Sequence, residues 1–280
     1  MRDVRPLKTD SQRPAPHGVA LRDDLLPPRT GARRHLISIA DLSRQDVERL
    51  LSLARAFARS LERDVKKLPT LRGRTVVNLF YESSTRTLSS FELAAKRLSA
   101  DVMSIKASGS AVEKGESLKD TAITIACYDP DVVVVRHPEI GAPNLVARHS
   151  GSHVVNAGDG KHQHPTQALL DLYTLEEELG GIENLHVAIV GDVLHSRVAR
   201  SNIQAFLLMG ARVTLVGPPP LIPRRIEAMG CAVSHSLDAL HDADVVYVLR
   251  MQRERMLAGE NYVPSLREYT ARWGLSSGHL

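Results

Sequence analysis

FYESSTRTLSSFEL, residues 80–93, joins an apolar run to a segment of helical spacing. The run that leads into it, TVVNLFY (75–81), has the length and composition of a buried strand. After it Leu88, Phe91, Ala95 and Leu98 recur at three and four residues, which predicts a helix over 88–99 with one buried stripe. Between them Ser83-Ser84-Thr85-Arg86-Thr87 sets hydroxyls and a guanidinium at a helix N-terminus, where unpaired N–H groups and the positive dipole end attract anions. An N-cap by Ser83 or Ser84, worth about 1 kcal/mol, explains one hydroxyl. A phosphate cradle explains the whole cluster: Ser84, Thr85 and Thr87 donate hydroxyls, and Arg86 adds a fork that fits phosphate oxygens.

Outward from that junction, strand and helix alternate. IADLSRQDVERLLSLARAFARSL (39–61) predicts a long amphipathic helix over 41–62, capped by Asp41 or Ser43. Downstream lie strand DVMSI, a Gly/Ser loop KASGSAVEKGES, helix LKDTAITIACY and the buried strand DVVVVR. HPTQALLDLYTLEEELGG (164–181) is a helix with Pro165 in its first turn and Gly180-Gly181 at its end. The rhythm then restarts with strand HVAIVGD, helix 197–209, strand ARVTLVG, a proline turn and strand DVVYVLR. The expected fold is α/β: two doubly wound parallel-sheet domains, 35–163 and 164–280, joined by a linker helix and facing each other across a ligand cleft.

The charge balance narrows the function. Residues 1–34 hold eight Lys/Arg, four Asp and five of the 15 prolines, whereas the remaining chain holds 28 residues of each sign. The overall +4 therefore belongs to a basic extension expected to be disordered, and the body is neutral. That extension has no apolar core like a secretory signal, and the longest apolar runs are strand-length, so neither export nor a membrane helix is expected. Without a basic aromatic surface no nucleic acid is expected as partner. Cys127 and Cys231 have no metal or redox spacing and read as reduced thiols of a cytoplasmic protein. VAIVGDVLHSR lacks the G-x-G-x-x-G of a dinucleotide site, and no P-loop occurs, which leaves a small phosphorylated substrate.

FYESSTRTLSSFE resembles the carbamoyl-phosphate signature of the aspartate/ornithine carbamoyltransferase family. The resemblance continues through KGESLKDT, VVRHP, HQHPTQALLDLYT, VAIVGDVLHSRVARSN and VYVLRMQRER, in order, over residues 35–275. It is nearer to the aspartate-using branch. The resemblance implies transfer of a carbamoyl group from carbamoyl phosphate to L-aspartate, an early step of pyrimidine biosynthesis, with no metal or other cofactor. By the same resemblance Ser84, Thr85, Arg86 and Thr87 bind the phosphate. Arg136, at the end of the valine strand, reaches phosphate and carbonyl oxygen. His164 donates to that oxygen, and Gln167 holds the carbamoyl NH2. A metal site at His162 and His164 is the competing idea, and no carboxylate or thiolate completes it in the sequence.

Arg197 and Arg250, with Gln252 beside the latter, are expected to take the two carboxylates of aspartate. An amine side chain such as that of ornithine would call for acidic residues there instead. Ser110 and Lys114 lie in a Gly-bracketed loop that the family inserts into a neighbouring subunit's site, which implies a homotrimer with shared sites; association with other pyrimidine-pathway subunits is a further expectation. The family also continues beyond Leu280 with a His-Pro loop and terminal helices. The resemblance thus implies weak or absent activity for a chain ending there, a partner-dependent or non-catalytic homologue being the alternative and ornithine transfer a weaker one.

Overall fold

The structure, a computed structural model, describes residues 35–106, 115–252, 255, 262 and 265–276. The basic extension, Ser110 and Lys114 lie outside the described residues. In chain order the elements are α1 (Arg44–Ser60), β1 (Thr75–Phe80), α2 (Thr85–Arg97), β2 (Asp101–Lys106), α3 (Leu118–Ala126), β3 (Val132–His137), α4 (Ala142–His149) and β4 (His153–Asp159). They continue with α5 (Pro165–Leu179), β5 (His186–Val190), α6 (Arg197–Leu208), β6 (Arg212–Val216), β7 (Ala232–Ser234), β8 (Val245–Val248) and α7 (Leu266–Trp273). These strands form two parallel sheets of four, ordered β2-β1-β3-β4 and β7-β6-β5-β8.

Parallel strands covered on both faces bury side chains on both, which is why β1 and β3 read as unbroken apolar runs. Val77, Leu79, Val133 and Val135 face α3 and α4 through Ala122, Ile125 and Val146. Their neighbours Val76, Phe80 and Val134 turn to the other face, against Ala95 of α2. The second sheet repeats the arrangement: Val187, Ile189 and Leu215 pack on Ile203 and Phe206 of α6, Ala188 and Val190 on the opposite side. Burying each such aliphatic side chain contributes roughly 1.5–3 kcal/mol. Although α1 comes early in the chain, its Val47 and Leu51 belong to the second sheet's core, alongside Ala168 and Leu172 of α5.

Several expectations shift. Helix α2 begins at Thr85, not 88, because Ser84 is extended and its hydroxyl accepts the Thr87 N–H; the cluster is therefore the helix's own first turn. Ser43, not Asp41, caps α1, while Asp41 closes a separate turn with Ser38. Elements α4, β4, β7 and α7 are additions to the pattern read from sequence. Among the described residues no helix is long and apolar enough to cross a membrane.

Candidate active site

Each sheet order contains one reversal, and there the carboxyl ends of adjacent strands part and leave a crevice for ligands. In the first sheet it lies between β1 and β3, in the second between β5 and β8. Arg136 stands near the carboxyl end of β3, and the segments after β1, β5 and β8 carry residues 82–87, residues 192–197, and residues 250–252 with Arg255. A cavity of about 800 Å³ brings the crevices together: Ser84, Thr85, Arg86 and Arg136 line it from the first sheet, Arg250 and Arg255 from the second. Lys161 and Glu82 complete a wall in which cations outnumber the carboxylate.

The cup is ordered by its own hydroxyls. Ser84 Oγ lies 2.9 Å from Thr87 Oγ1, and Arg136 Nη1 donates to that threonine oxygen at 3.3 Å. Thr85 and Arg86 remain exposed on the first turn of α2. Arg136 is 8 % exposed and donates also to the Ala157 carbonyl, so its guanidinium is fixed at the end of β3.

Glu82 links the two sheets. Its carboxylate takes Arg136 Nη2 at 2.6 Å and Arg197 Nη1 and Nη2 at 2.9 and 2.6 Å, with Arg255 Nη2 at 3.7 Å. Burial by itself would raise the Glu82 carboxyl, but the hydrogen bonds and charges of Arg197 and Arg136 bring it down to about 2. Arg197 opens α6, is 2 % exposed and also donates to the Gly160 carbonyl at 3.2 Å. Gly158 makes room for it: at φ +119°, a Cβ there would lie 2.8 Å from Arg197 Cζ.

His164 precedes α5 and is 7 % exposed, with its backbone N–H on Ser201 Oγ. Burial first, then the charges of Arg197 and Arg136, lower its imidazole to about 3, so it is neutral at ordinary pH. Thr166 Oγ1 stands 3.3 Å from Nδ1. A hydroxyl donating there leaves the ring proton on Nε2, as an uncharged donor. His162 instead contacts Asp159 at 3.2 Å, and among the described residues no group of three or more His, Cys, Asp or Glu could hold a metal ion. Gln167, in the first turn of α5, turns its amide to Asp171.

Gln252 does not line the cavity, and neither do Thr87, His164, Gln167 and Arg197. The Gln252 backbone N–H donates to Asp192 Oδ2 at 3.0 Å and its side chain folds back on the Arg250 carbonyl, which fixes the strand end and leaves Arg250 exposed to the opening. Sequence reasoning gave Glu82 no role and counted Arg255 only within the basic segment 250–255. Glu82 stood inside the opening stretch, but a carboxylate next to an anion cradle acquires meaning only once Arg197, 115 residues away, is beside it.

This is a doubly wound α/β protein whose two sheets present a hydroxyl-rich cup and converging guanidiniums to one opening. The family model "Aspartate/ornithine carbamoyltransferase, carbamoyl-P binding domain" matches residues 34–177. The aspartate carbamoyltransferase catalytic subunits of Acidothermus cellulolyticus and Salinispora arenicola are 56% and 59% identical to it. Each covers 88% of this chain, which spans 76% and 81% of theirs. Among solved structures, Trypanosoma cruzi aspartate transcarbamoylase in complex with carbamoyl phosphate superimposes with a TM-score of 0.79 at 31% identity, covering 88% of this chain and 81% of its own. The catalytic subunit of M. jannaschii aspartate transcarbamoylase gives 0.73 at 39% identity, covering 85% and 78%. The chain belongs to the aspartate/ornithine carbamoyltransferase family.

Proposed function

We propose that this chain transfers the carbamoyl group of carbamoyl phosphate to the amine of L-aspartate, releasing phosphate and N-carbamoyl-L-aspartate, in pyrimidine biosynthesis. The observation that carries the reading is the meeting, in one cavity, of the Ser84–Arg86 cup with Arg250 from the opposite sheet. Carbamoyl phosphate is already activated, so holding two anionic reactants together and stabilising one developing oxyanion is sufficient. Ser84, Thr85, Arg86 and Thr87 take the phosphate. Arg136 and the neutral His164 donate to the carbonyl oxygen as the amine attacks, while Gln167 holds the carbamoyl NH2. The C–O bond to phosphate then breaks, and the departing phosphate takes the proton lost by the amine.

Arg197 and Arg250 take the α- and side-chain carboxylates of aspartate. An ammonium side chain would meet Arg250 and Arg255 at the same opening, which disfavours ornithine. Glu82 holds Arg136 and Arg197 in place before substrate arrives. In this reading residues 35–163 serve the phosphate side and 164–280 the acceptor side. Ser110 and Lys114 complete a neighbour's site in a cytoplasmic homotrimer, which can associate with other pyrimidine-pathway subunits.

The test is to incubate the purified chain with labelled carbamoyl phosphate and either aspartate or ornithine, beside Arg86→Ala. Product should form with aspartate alone. The variant should fall by about 10²-fold or more in kcat/KM, as when one preorganised donor is lost. Product with ornithine alone, or an undiminished variant, would overturn the assignment.

A further inference from the structure

Asp171 lies one turn beyond Gln167 on α5 and is the meeting point of three elements. Its Oδ1 accepts from Gln167 Nε2 at 2.9 Å. Its Oδ2 accepts from Asn202 Nδ2 of α6 at 2.8 Å and from the Tyr247 hydroxyl of β8 at 2.9 Å. Each element carries a candidate site residue at one end: α5 starts after His164, α6 opens with Arg197, and β8 runs out towards Arg250, which lines the cavity. Asn202 is completely buried, so the cluster is a packed junction and not a surface contact.

The chemistry of the junction fixes a direction. Burial raises the Asp171 carboxyl, and the donors of Asn202, Gln167 and Tyr247 oppose that rise; as a carboxylate it only accepts hydrogen bonds, so the Gln167 amide presents its NH2 to it. Its oxygen, Oε1, has no protein partner among the described residues and is the end left for a ligand. A carbamoyl NH2 is a donor and needs that oxygen; the reversed amide would meet it NH2 to NH2. We propose that Asp171 is a positioning residue for carbamoyl transfer, holding the Gln167 amide with its oxygen towards the substrate's NH2. The inference rests on the carbamoyl-transfer reading above and on the role of Gln167 in it.

Reversing the two groups tests it in the full chain. Gln167→Glu keeps an acceptor for the substrate but sets carboxylate against carboxylate. Asp171→Asn lets the glutamine amide reverse. Each single change should lower kcat/KM for carbamoyl phosphate by about tenfold or more, the worth of about one hydrogen bond in the transition state. Together they restore complementarity. The new amide at 171 donates to the new carboxylate at 167 and still accepts from Asn202 and Tyr247, so the double variant should return to within about threefold of the parent.

A double variant no better than the worse single one overturns the proposal, as does a fully active Asp171→Asn. The double variant decides the matter even where a single one fails to fold, because it keeps one carboxylate in the junction. Gln167→Ala separates the two readings. Wild-type kcat/KM in that variant removes the role of Gln167 and the positioning with it. An impaired Gln167→Ala beside a fully active Asp171→Asn removes only the positioning.

Discussion

The two crevices have the same strand connections and opposite furnishing. Where β1 and β3 part, Thr85 and Arg86 are exposed and the hydroxyls face an opening. Where β5 and β8 part, the polar groups are turned on the protein itself. Asp192 and His195 are 0 % exposed; His195 N–H and Nδ1 lie 3.2 and 2.8 Å from Asp192 Oδ1, Gln252 N–H donates to Oδ2, and Arg255 Nη1 donates to the His195 carbonyl. One crevice offers donors to a ligand, and the other uses its donors to brace a strand end that presents a guanidinium. The lesson is that a binding surface and a bracing surface can be told apart by where their hydrogen bonds end.

The contrast predicts a separation of stability from activity. Asp192→Ala leaves buried donors without an acceptor and should destabilise the fold by about 3 kcal/mol, read by chemical denaturation. Arg86→Ala, at an exposed position, should stay within about 0.5 kcal/mol of the parent. Similar losses in both would erase the distinction.

Glu82, which spans the two crevices, should behave between these extremes. Its carboxyl is at about 2 in the fold against an ordinary 4.5. Its contribution is therefore present above pH 4.5 and lost as pH falls from there towards 2. Glu82→Gln should lower stability at neutral pH by about 2 kcal/mol after allowance for solvent screening. The gap between parent and variant should narrow over that acid window, and a gap constant with pH would contradict the bridging role. Ser84→Ala should fall between Glu82→Gln and Arg86→Ala. It removes the cap of α2 at a cost of about 1 kcal/mol in thermal unfolding, while phosphate protection should weaken as well.

Much of what was legible in the sequence followed apolar burial, although α3, β8 and the largely exposed β2 were read as well. The runs of β1, β3, β5 and β6, with the stripes of α1, α2, α5 and α6, are continuous signals of that kind. Strand β4 was not visible, because its centre is Asn156 and its end Asp159, both buried and both satisfied inside the fold. Helix α4 has only eight residues and starts from a left-handed Gly141, so its periodicity is short. In the candidate site, the Ser84–Thr87 cluster stood out from local pattern, while roles for Arg136, His164, Gln167, Arg197 and Arg250 came from the family resemblance. The contacts of Glu82, Arg255 and Asp171 could not be read there, since their partners come from distant segments.

Gly158 has a consequence for what variation this chain can carry. Its missing Cβ is the space that the Arg197 guanidinium occupies, so the two positions behave as one inherited unit. While the arginine stays, a side chain at 158 collides with its guanidinium; once the arginine is lost, the collision goes but the positive φ still favours glycine.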